Sequence, residues 1–175
     1  MGKIRKPRKI KLIVGLLSND IPAIEKAAAL LKRVFGRTDF ESDFLEFTHT
    51  DYYEGEMGKG LKRKFLSFAK PSSLDHICAV KLKANRLEKT FVRRGRRTVN
   101  IDPGYVDCSK LVLFSTKDYT HRIYLEKGIF AEVTLFYKGG TFNPWPWTYP
   151  DYKSAPYIDI FNSIRELYIQ GTSAC

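Results

Sequence analysis

The sequence predicts an α+β fold: a ferredoxin-like βαββαβ core, extended by an antiparallel β-meander and a C-terminal helix. Three observations predict it. Strand and helix patterns follow each other in the order β-α-β-β-α-β as far as Ile101, which is the order of a ferredoxin-like sheet with two helices on one face. The short turn signals EKG and KGG then separate three strand-like runs. Apolar residues at helical spacing close the chain.

The first strand and helix have clear boundaries. The run KIKLIVGLLS predicts a buried strand over residues 10–17. Asn19 or Asp20 can cap the helix that follows, and Pro22 stands in its first turn, where a missing N–H loses no hydrogen bond. The apolar face of this helix consists of Ile24, Ala27, Ala28, Leu31 and Phe35.

The next segments complete the predicted core. Apolar residues predict a second strand near residues 44–47 and a third over residues 64–69. SSLD, residues 72–75, is a capping-box pattern, and apolar residues recur behind it at helical spacing. RTVNI, residues 97–101, is the fourth strand candidate. The sequence DPGY, residues 102–105, predicts a turn that ends it, because Pro fixes φ and Gly permits positive φ.

The rest of the chain adds sheet and a last helix. KLVLF, residues 110–114, is either a strand or one buried helical turn. HRIYL, IFAEVTLFY and TFNPW predict a three-stranded antiparallel meander. The proline-rich stretch NPWPWTYPDYKSAPY predicts an extended aromatic arm, and an amphipathic helix follows from Ile158. We expect one domain over residues 1–175, with residues 1–9 as a flexible basic tail.

The charge of the chain favours polyanionic partners. The net charge is +11, six of the first eleven residues are Lys or Arg, and RRGRR stands at residues 93–97. Such Lys and Arg clusters are typical of proteins that bind RNA or nucleotides. They are equally compatible with a solvated tail and with cations at a helix C-terminus.

Several protein classes are excluded by missing patterns. The basic N-terminus lacks the apolar stretch of a signal peptide, and the apolar run at residues 12–17 is too short to span a bilayer. We therefore expect a cytoplasmic protein without membrane association. GEMGKG lacks the spacing and the hydroxyl of a P-loop, and no GxGxxG follows a strand. A Ras-like GTPase is thus excluded.

An acidic, aromatic loop is the first candidate for a site. THTDYYEGEMG, residues 48–58, contains no Lys or Arg. Asp51 and Glu56, together with Asp102 of DPGY, could hold Mg²⁺ through their carboxylate oxygens. Tyr52 and Tyr53, and Tyr105 of DPGY, are candidate ligand-binding residues. The alternative is a solvated acidic loop and a plain turn.

The segment STKDYTHR, residues 115–122, is the second candidate. His121 could act as a general acid or base, with Asp118 orienting it, and Lys117 is a candidate phosphate ligand. If EKG is a three-residue loop, Arg122 faces Glu132 across the meander, whereas a two-residue loop would shift the register and dissolve this pair. The pair is either a structural ion pair or an arginine that Glu132 positions for phosphate.

These motifs also resemble a family. KLIVGLLS, TDYYEGEMG, NIDPGY, KLVL, STKDYTHRIYL, GIFAEVTL and WTYPDY occur in an order that resembles the bacterial family called domain of unknown function 4416. The resemblance extends from about Lys11 to Tyr168. It implies a small single-domain protein without assigned catalytic residues. Many members of the family carry a GTP-binding label, which conflicts with the missing P-loop in this sequence.

We therefore expect one polar cleft formed by the 49–58 loop, DPGY, STKDYTHR and the Arg122–Glu132 pair. It would bind a phosphate-bearing ligand, and a nucleotide is favoured over RNA. One alternative is Mg²⁺-assisted hydrolysis of a phosphoester or nucleotide, with Asp51, Glu56 and Asp102 on the metal and His121 as acid or base. The other is an RNA-binding module in which the basic tail, RRGRR and the WPW aromatics share one face.

Overall fold

The computed structural model describes residues 2–172, in which nine strands form one antiparallel sheet and two more form a separate hairpin. The strands are β1 Lys11–Ser18, β2 Thr38–Glu41, β3 Leu45–Glu46, β4 Lys62–Phe68, β5 Val92–Arg93, β6 Arg96–Arg97, β7 Asn100–Val106, β8 Lys110–Ser115, β9 Ile123–Glu126, β10 Ile129–Lys138 and β11 Thr141–Pro144. The helices are α1 Ile21–Phe35, α2 Glu54–Met57, α3 Ile77–Lys89 and α4 Ala155–Gln170, and a 3₁₀ turn, Leu74–His76, precedes α3.

The strands lie in the order β11-β10-β8-β7-β1-β4-β2, with β3 on β4 and β9 on β10. The predicted α+β class, the antiparallel meander and the C-terminal helix are confirmed. Both β9 and β11 pair with the same edge of β10, because β8 occupies its other edge. The ferredoxin-like description of the core stays a prediction; its second strand, predicted near residues 44–47, overlaps β3 and not β2.

The sheet is covered on both faces, which explains why β1 is buried along its whole length. Leu12, Val14 and Leu16 face the core that α1 and α3 share. Ile13 faces the opposite core, which is closed by α4. Strands that are buried on both faces have continuous apolar runs, so KLIVGLLS predicted this position correctly.

The predicted DPGY turn is wrong, because Asp102 and the three residues after it lie inside β7. β7 pairs with β1 over its whole length, but its ladder to β8 covers only Gly104–Val106. Pro103 therefore lies where one side of the strand is unpaired, a position at which sheets tolerate proline. Gly104 is required by close packing, since a Cβ there would lie 2.4 Å from the carbonyl oxygen of Val112. KLVLF, left open between strand and helix, is strand β8.

The β9–β10 hairpin has the two-residue loop, the alternative that was expected to dissolve the Arg122–Glu132 pair. Lys127 and Gly128 both have positive φ, 52° and 73°, as a tight hairpin turn requires. Ile129 pairs with Glu126 while Phe130 pairs with Tyr124, so Leu125 is an extra residue in a β-bulge. The bulge restores the register that the short loop shifts.

The aromatic arm packs on its own domain. The Trp147 Nε1 donates to the Val133 carbonyl oxygen at 3.2 Å, and the Thr148 hydroxyl donates to the Thr134 carbonyl oxygen. The Trp145 ring lies 4.5 Å from that of Phe136. The arm is thereby fixed along β10. None of the helices within residues 2–172 combines the length and the apolar character needed to cross a membrane.

Candidate ligand-binding cleft

A cleft of about 940 Å³ opens at the end of the sheet where β1 finishes and β7 starts. Its floor is formed by β4 and β7. Four segments form its walls: the loop before α2, one face of α3, the end of β8 with the segment that follows it, and residues 149–152. These walls come from distant parts of the chain, and the antiparallel sheet brings them together.

Arg63 forms the floor. Only 2% of this residue is exposed, and its Nη1 and Nη2 lie 3.3 and 3.5 Å from carboxylate oxygens of Asp102 and Asp151. The guanidinium also lies 5.2 Å from the centre of the Phe47 ring, within cation–π distance. Its Nε is buried without a hydrogen-bond partner in residues 2–172. Burial raises the pKa of the Asp151 carboxyl, and Arg63 opposes that rise.

Arg122 organises the wall beside β10. Its Nε donates to the buried Glu132 carboxylate at 2.7 Å, and its Nη1 donates to the Ser115 hydroxyl at 2.8 Å and to the Lys117 carbonyl oxygen at 2.9 Å. Its Nη2 donates to the Tyr149 hydroxyl. With four such bonds and a 4% exposed side chain, Arg122 has little capacity left for a ligand. The geometry therefore favours the structural ion pair over a phosphate-binding arginine.

Arg97 connects the cleft to α2 and α3. Its guanidinium donates to Glu88, to Asn100 at 2.7 Å and to Glu56 at 2.7 Å. Asn100 in turn donates to Asp102 on the cleft floor. Burial raises the pKa of the Glu88 carboxyl, against the lowering effect of Arg97. Charged groups thus follow one another from the rim of the cleft to Arg63.

One polar face of α3 lines the cleft through Lys81, Asn85, Glu88 and Lys89. Their spacing of four, three and one residues places them on one side of a helix. Lys81 is only 6% exposed, and its Nζ donates to the Ile101 carbonyl oxygen at a long 3.4 Å. It forms no close ion pair within residues 2–172, although its charge opposes the rise in the pKa of the Glu88 carboxyl. A buried ammonium with one weak acceptor is costly, so this position favours an anion.

Exposed aromatic rings flank the mouth. Tyr52 is 66% exposed, and its hydroxyl accepts a hydrogen bond from Lys117 Nζ at 2.6 Å, which lowers its pKa. Its ring meets that of Tyr53 edge to face at 4.9 Å. On the other side, His121 lies between the nearly parallel rings of Tyr119 and Trp147, at centroid distances of 6.0 and 6.1 Å. These rings offer flat apolar surfaces beside cations.

Seven of the residues selected from the sequence line this cleft: Tyr52, Tyr53, Asp102, Lys117, His121, Arg122 and Glu132. His121 contacts Glu132, with 3.2 Å between Nε2 and Oε2, whereas the exposed Asp118 lies outside the lining. Tyr105 is buried in the core against Phe114, and burial raises its pKa.

The three residues predicted for magnesium are not brought together. Asp102 is paired with Arg63, and Glu56 is paired with Arg97 outside the cleft. Asp51 is exposed at the start of α2, where its carbonyl oxygen accepts from the Glu54 N–H. Within residues 2–172 no group of three His, Cys, Asp or Glu side chains is placed to hold a metal ion. The residues present therefore do not fit the predicted metal site.

Sequence reasoning missed Arg63, Lys81 and Asp151. Arg63 stands between two lysines in KRKF, where nothing in the pattern distinguishes a buried arginine from exposed cations. Lys81 carried a usable signal, since it begins a polar row at helical spacing beside the predicted apolar stripe of α3. Asp151 lay in the arm that was predicted to be irregular.

Comparison with known families places the chain. The family model described as Domain of unknown function (DUF4416) matches residues 8–168. The chain belongs to this family. Neither the curated proteins nor the solved structures gave a match. Membership thus confirms the resemblance seen in the motifs, and the function has to be argued from the cleft itself.

Proposed function

We propose that the cleft binds a phosphate-bearing ligand, and a nucleotide in particular. The observation that carries this proposal is the distribution of charge in the cleft. Its cations are Arg63, Lys81, Lys89, Arg97, Lys117 and Arg122, and its carboxylates are Glu88, Asp102, Glu132 and Asp151. Each carboxylate lies no more than 3.5 Å from an arginine of the cleft. The three lysines form no ion pair within residues 2–172, so positive charge is left for an anion.

The aromatic rings at the mouth support a nucleotide over a plain phosphate. Tyr52 and Tyr119 are exposed rings that line the same cleft as the lysines. Lys117 lies 4.7 Å from the centre of the Tyr52 ring. Aromatic faces stack on nucleic-acid bases, and cations bind the phosphates. Soluble nucleotides are ligands of the cytoplasm, and the cytoplasmic localisation is part of the same proposal.

Hydrolysis of the bound ligand is a second candidate, and the contact between His121 and Glu132 favours it. A half-buried imidazole next to a buried carboxylate is suited to proton transfer. Because Asp51, Glu56 and Asp102 do not form a metal site, this alternative rests on His121 alone. His121→Ala would then abolish turnover and leave nucleotide binding intact.

Thermal unfolding in the presence of nucleotides tests the proposal. GTP, chosen for the family's label, is compared with ATP and with guanosine, which lacks phosphate. A ligand at a hundred times its Kd stabilises by about 2.7 kcal/mol, which raises the Tm of a chain this size by roughly 5–10 °C. We expect GTP or ATP to raise the Tm and guanosine not to.

A charge-matched pair of variants tests the location. Lys117→Met removes a cation from the cleft mouth and should reduce the nucleotide-dependent rise in Tm. Lys26→Met removes a cation from the exposed face of α1 and should leave it unchanged. Equal shifts with guanosine and GTP, or equal losses in both variants, would contradict a phosphate site in this cleft.

A further inference from the structure

A second basic surface adjoins the cleft. The hairpin β5–β6 carries Arg93, Arg94 and Arg96, all exposed, at its tip. Arg94 and Gly95 have φ of 50° and 74°, the pair of positive values that a two-residue hairpin turn requires. The tip is therefore a defined turn that presents its arginines outward.

The hairpin is anchored at its base. The Thr98 N–H and hydroxyl both donate to the Phe91 carbonyl oxygen, at 2.9 and 2.6 Å. Arg97 pairs with Glu56 and Glu88, on α2 and α3. The position of the tip relative to the cleft is thus set by hydrogen bonds and ion pairs at the base of the hairpin.

The charge of the tip is hardly compensated. Within residues 2–172, only Arg93 of these three arginines forms an ion pair. It lies 3.7 Å from Asp20, which is a long distance, and the Arg93 side chain is 75% exposed. The arginines line a groove of about 490 Å³ together with Asn19, Glu56, Met57, Arg97 and Thr98, and the Glu56 carboxylate in it is already paired with Arg97. The exposed Arg93–Asp20 pair contributes little to stability, so the arginines remain available to an external anion.

The groove adjoins the cleft. Arg97 lines both, and Val92 at the base of the hairpin also lines the cleft. The aromatic rings of Tyr52 and Tyr119 lie in the same cleft. A chain of phosphates and bases that begins in the cleft would therefore pass the arginine tip on its way out.

We infer that the cleft holds one nucleotide of a single-stranded nucleic acid, whose neighbouring phosphates bind the arginines of the β5–β6 hairpin. This inference rests on the proposed function, because the nucleotide in the cleft fixes the strand. Arginines on the backbone and aromatic rings on the bases are the combination that binds single strands. The basic tail is not part of this surface: Lys9 precedes β1, whereas Asn100, near the hairpin, pairs with Leu17 at the far end of β1.

Two charge-matched variants of the full-length protein test the inference. The hairpin variant keeps the turn, because asparagine tolerates positive φ, and carries Arg93→Gln, Arg94→Asn and Arg96→Gln. The tail variant loses the same charge through Lys3→Gln, Arg5→Gln and Lys6→Gln. Binding of a short unstructured RNA is measured by fluorescence anisotropy over a series of salt concentrations, with a DNA of the same sequence and GTP alone as further probes.

We expect the hairpin variant to bind the RNA roughly tenfold more weakly or worse, and its salt slope to fall by about 2, since each lost phosphate contact removes about 0.7. The salt slope of the tail variant should differ from that of the unchanged protein by no more than about 0.7. GTP should bind both variants as it binds the unchanged protein, and excess GTP should displace the RNA. Equal binding of DNA would show that the 2′-hydroxyl is not read.

Other outcomes separate the two proposals. If GTP binds but the RNA binds no more tightly than GTP, or if the tail variant loses as much RNA affinity as the hairpin variant, the inference is overturned and the nucleotide site stands. If RNA binds and GTP neither binds nor competes, the nucleotide site itself fails, and with it this route for the strand.

Discussion

Lys81 stands out as a single residue, because its ammonium group is buried and forms no close ion pair within residues 2–172, although its charge acts on the nearby Glu88 carboxyl. Arg63, Arg97 and Arg122 in the same cleft each contact a carboxylate. Lys81 has one acceptor, a backbone oxygen 3.4 Å away. A group whose solvation has been lost and not replaced lowers the stability of the fold. Binding sites often carry such costs, because the missing partner is the ligand.

Lys81→Met should therefore stabilise the free protein and weaken ligand binding. The methionine keeps the length of the side chain and removes the buried charge, so we expect the free energy of unfolding to rise by about 1 kcal/mol or more. The nucleotide-dependent rise in Tm should disappear. Urea unfolding gives the first quantity and thermal unfolding with GTP the second. A loss of stability in the free protein would mean that Lys81 is a structural residue.

Glu132 has the opposite role, since its charge is required by the fold. It accepts from Arg122 Nε at 2.7 Å and from the Thr134 hydroxyl at 3.2 Å, and both it and Arg122 are almost fully buried. Glu132→Gln keeps the shape but leaves Arg122 without a counter-charge, which should cost about 3 kcal/mol. Glu126→Gln, on the exposed neighbouring strand, should cost less than about 0.5 kcal/mol. Equal urea midpoints for the two variants would contradict this role.

At the scale of elements, β7 connects the cleft to the core. It carries Asn100 and Asp102 at the cleft end, and it packs against β8 so closely that Gly104 has no room for a side chain. Gly104→Ala should push the two strands apart and lower the free energy of unfolding by about 2 kcal/mol or more. Nucleotide binding should weaken as well, because Ser115, the last residue of β8, and Thr116 after it line the cleft.

Gly55→Ala is the matched control for this change. Gly55 lies in α2, it has no neighbouring atom within 4 Å of an added Cβ, and its φ is not positive. Alanine there should be neutral or slightly stabilising, since it favours helix. If Gly104→Ala unfolds at the same urea concentration as Gly55→Ala, the close contact between β7 and β8 is relieved without cost.

The elements also show where sequence reasoning succeeds. Apolar periodicity and turn residues are local, so the α+β class, the meander and the last helix were predictable, whereas β2, the short helix α2 and the β5–β6 hairpin were not predicted. DPGY was wrongly predicted as a turn because Pro and Gly usually mark turns. Here Pro103 lies in β7 where the edge facing β8 is unpaired, and Gly104 allows β7 and β8 to pack closely. Whether a strand has a neighbour is decided by the rest of the fold, not by its own residues.

The site was predictable to the extent that its residues are clustered in the chain. Tyr52, Lys117 and Arg122 were found because polar and aromatic residues are concentrated around them. The Arg122–Glu132 contact was predicted from the wrong loop length, and it forms because the bulge at Leu125 compensates. Lys81 and Arg63 could not be selected in this way, since their importance comes from burial and missing partners.

At the scale of the whole molecule, the net charge of +11 and the pKa shifts in the cleft act on binding together. Burial raises the pKa of the Glu88 and Asp151 carboxyls. Both therefore take up protons at a higher pH than ordinary carboxyls, and each proton removes one negative charge from the cleft. Both carboxyls change the charge of the cleft in the same direction as the pH falls.

Binding of an anion should therefore strengthen as the pH is lowered from neutral towards the raised pKa values of these two carboxyls. The probe is a dinucleoside monophosphate, because the charge of its phosphodiester is constant over this range. Glu88→Gln removes one titrating group and should bind more tightly at about pH 8, with a shallower dependence on pH. The difference between the two pH profiles isolates the contribution of Glu88. Two outcomes would mean that this carboxyl does not control the charge that the ligand meets. One is an affinity of the unchanged protein that decreases as the pH is lowered, and the other is a pair of parallel pH profiles for the two proteins.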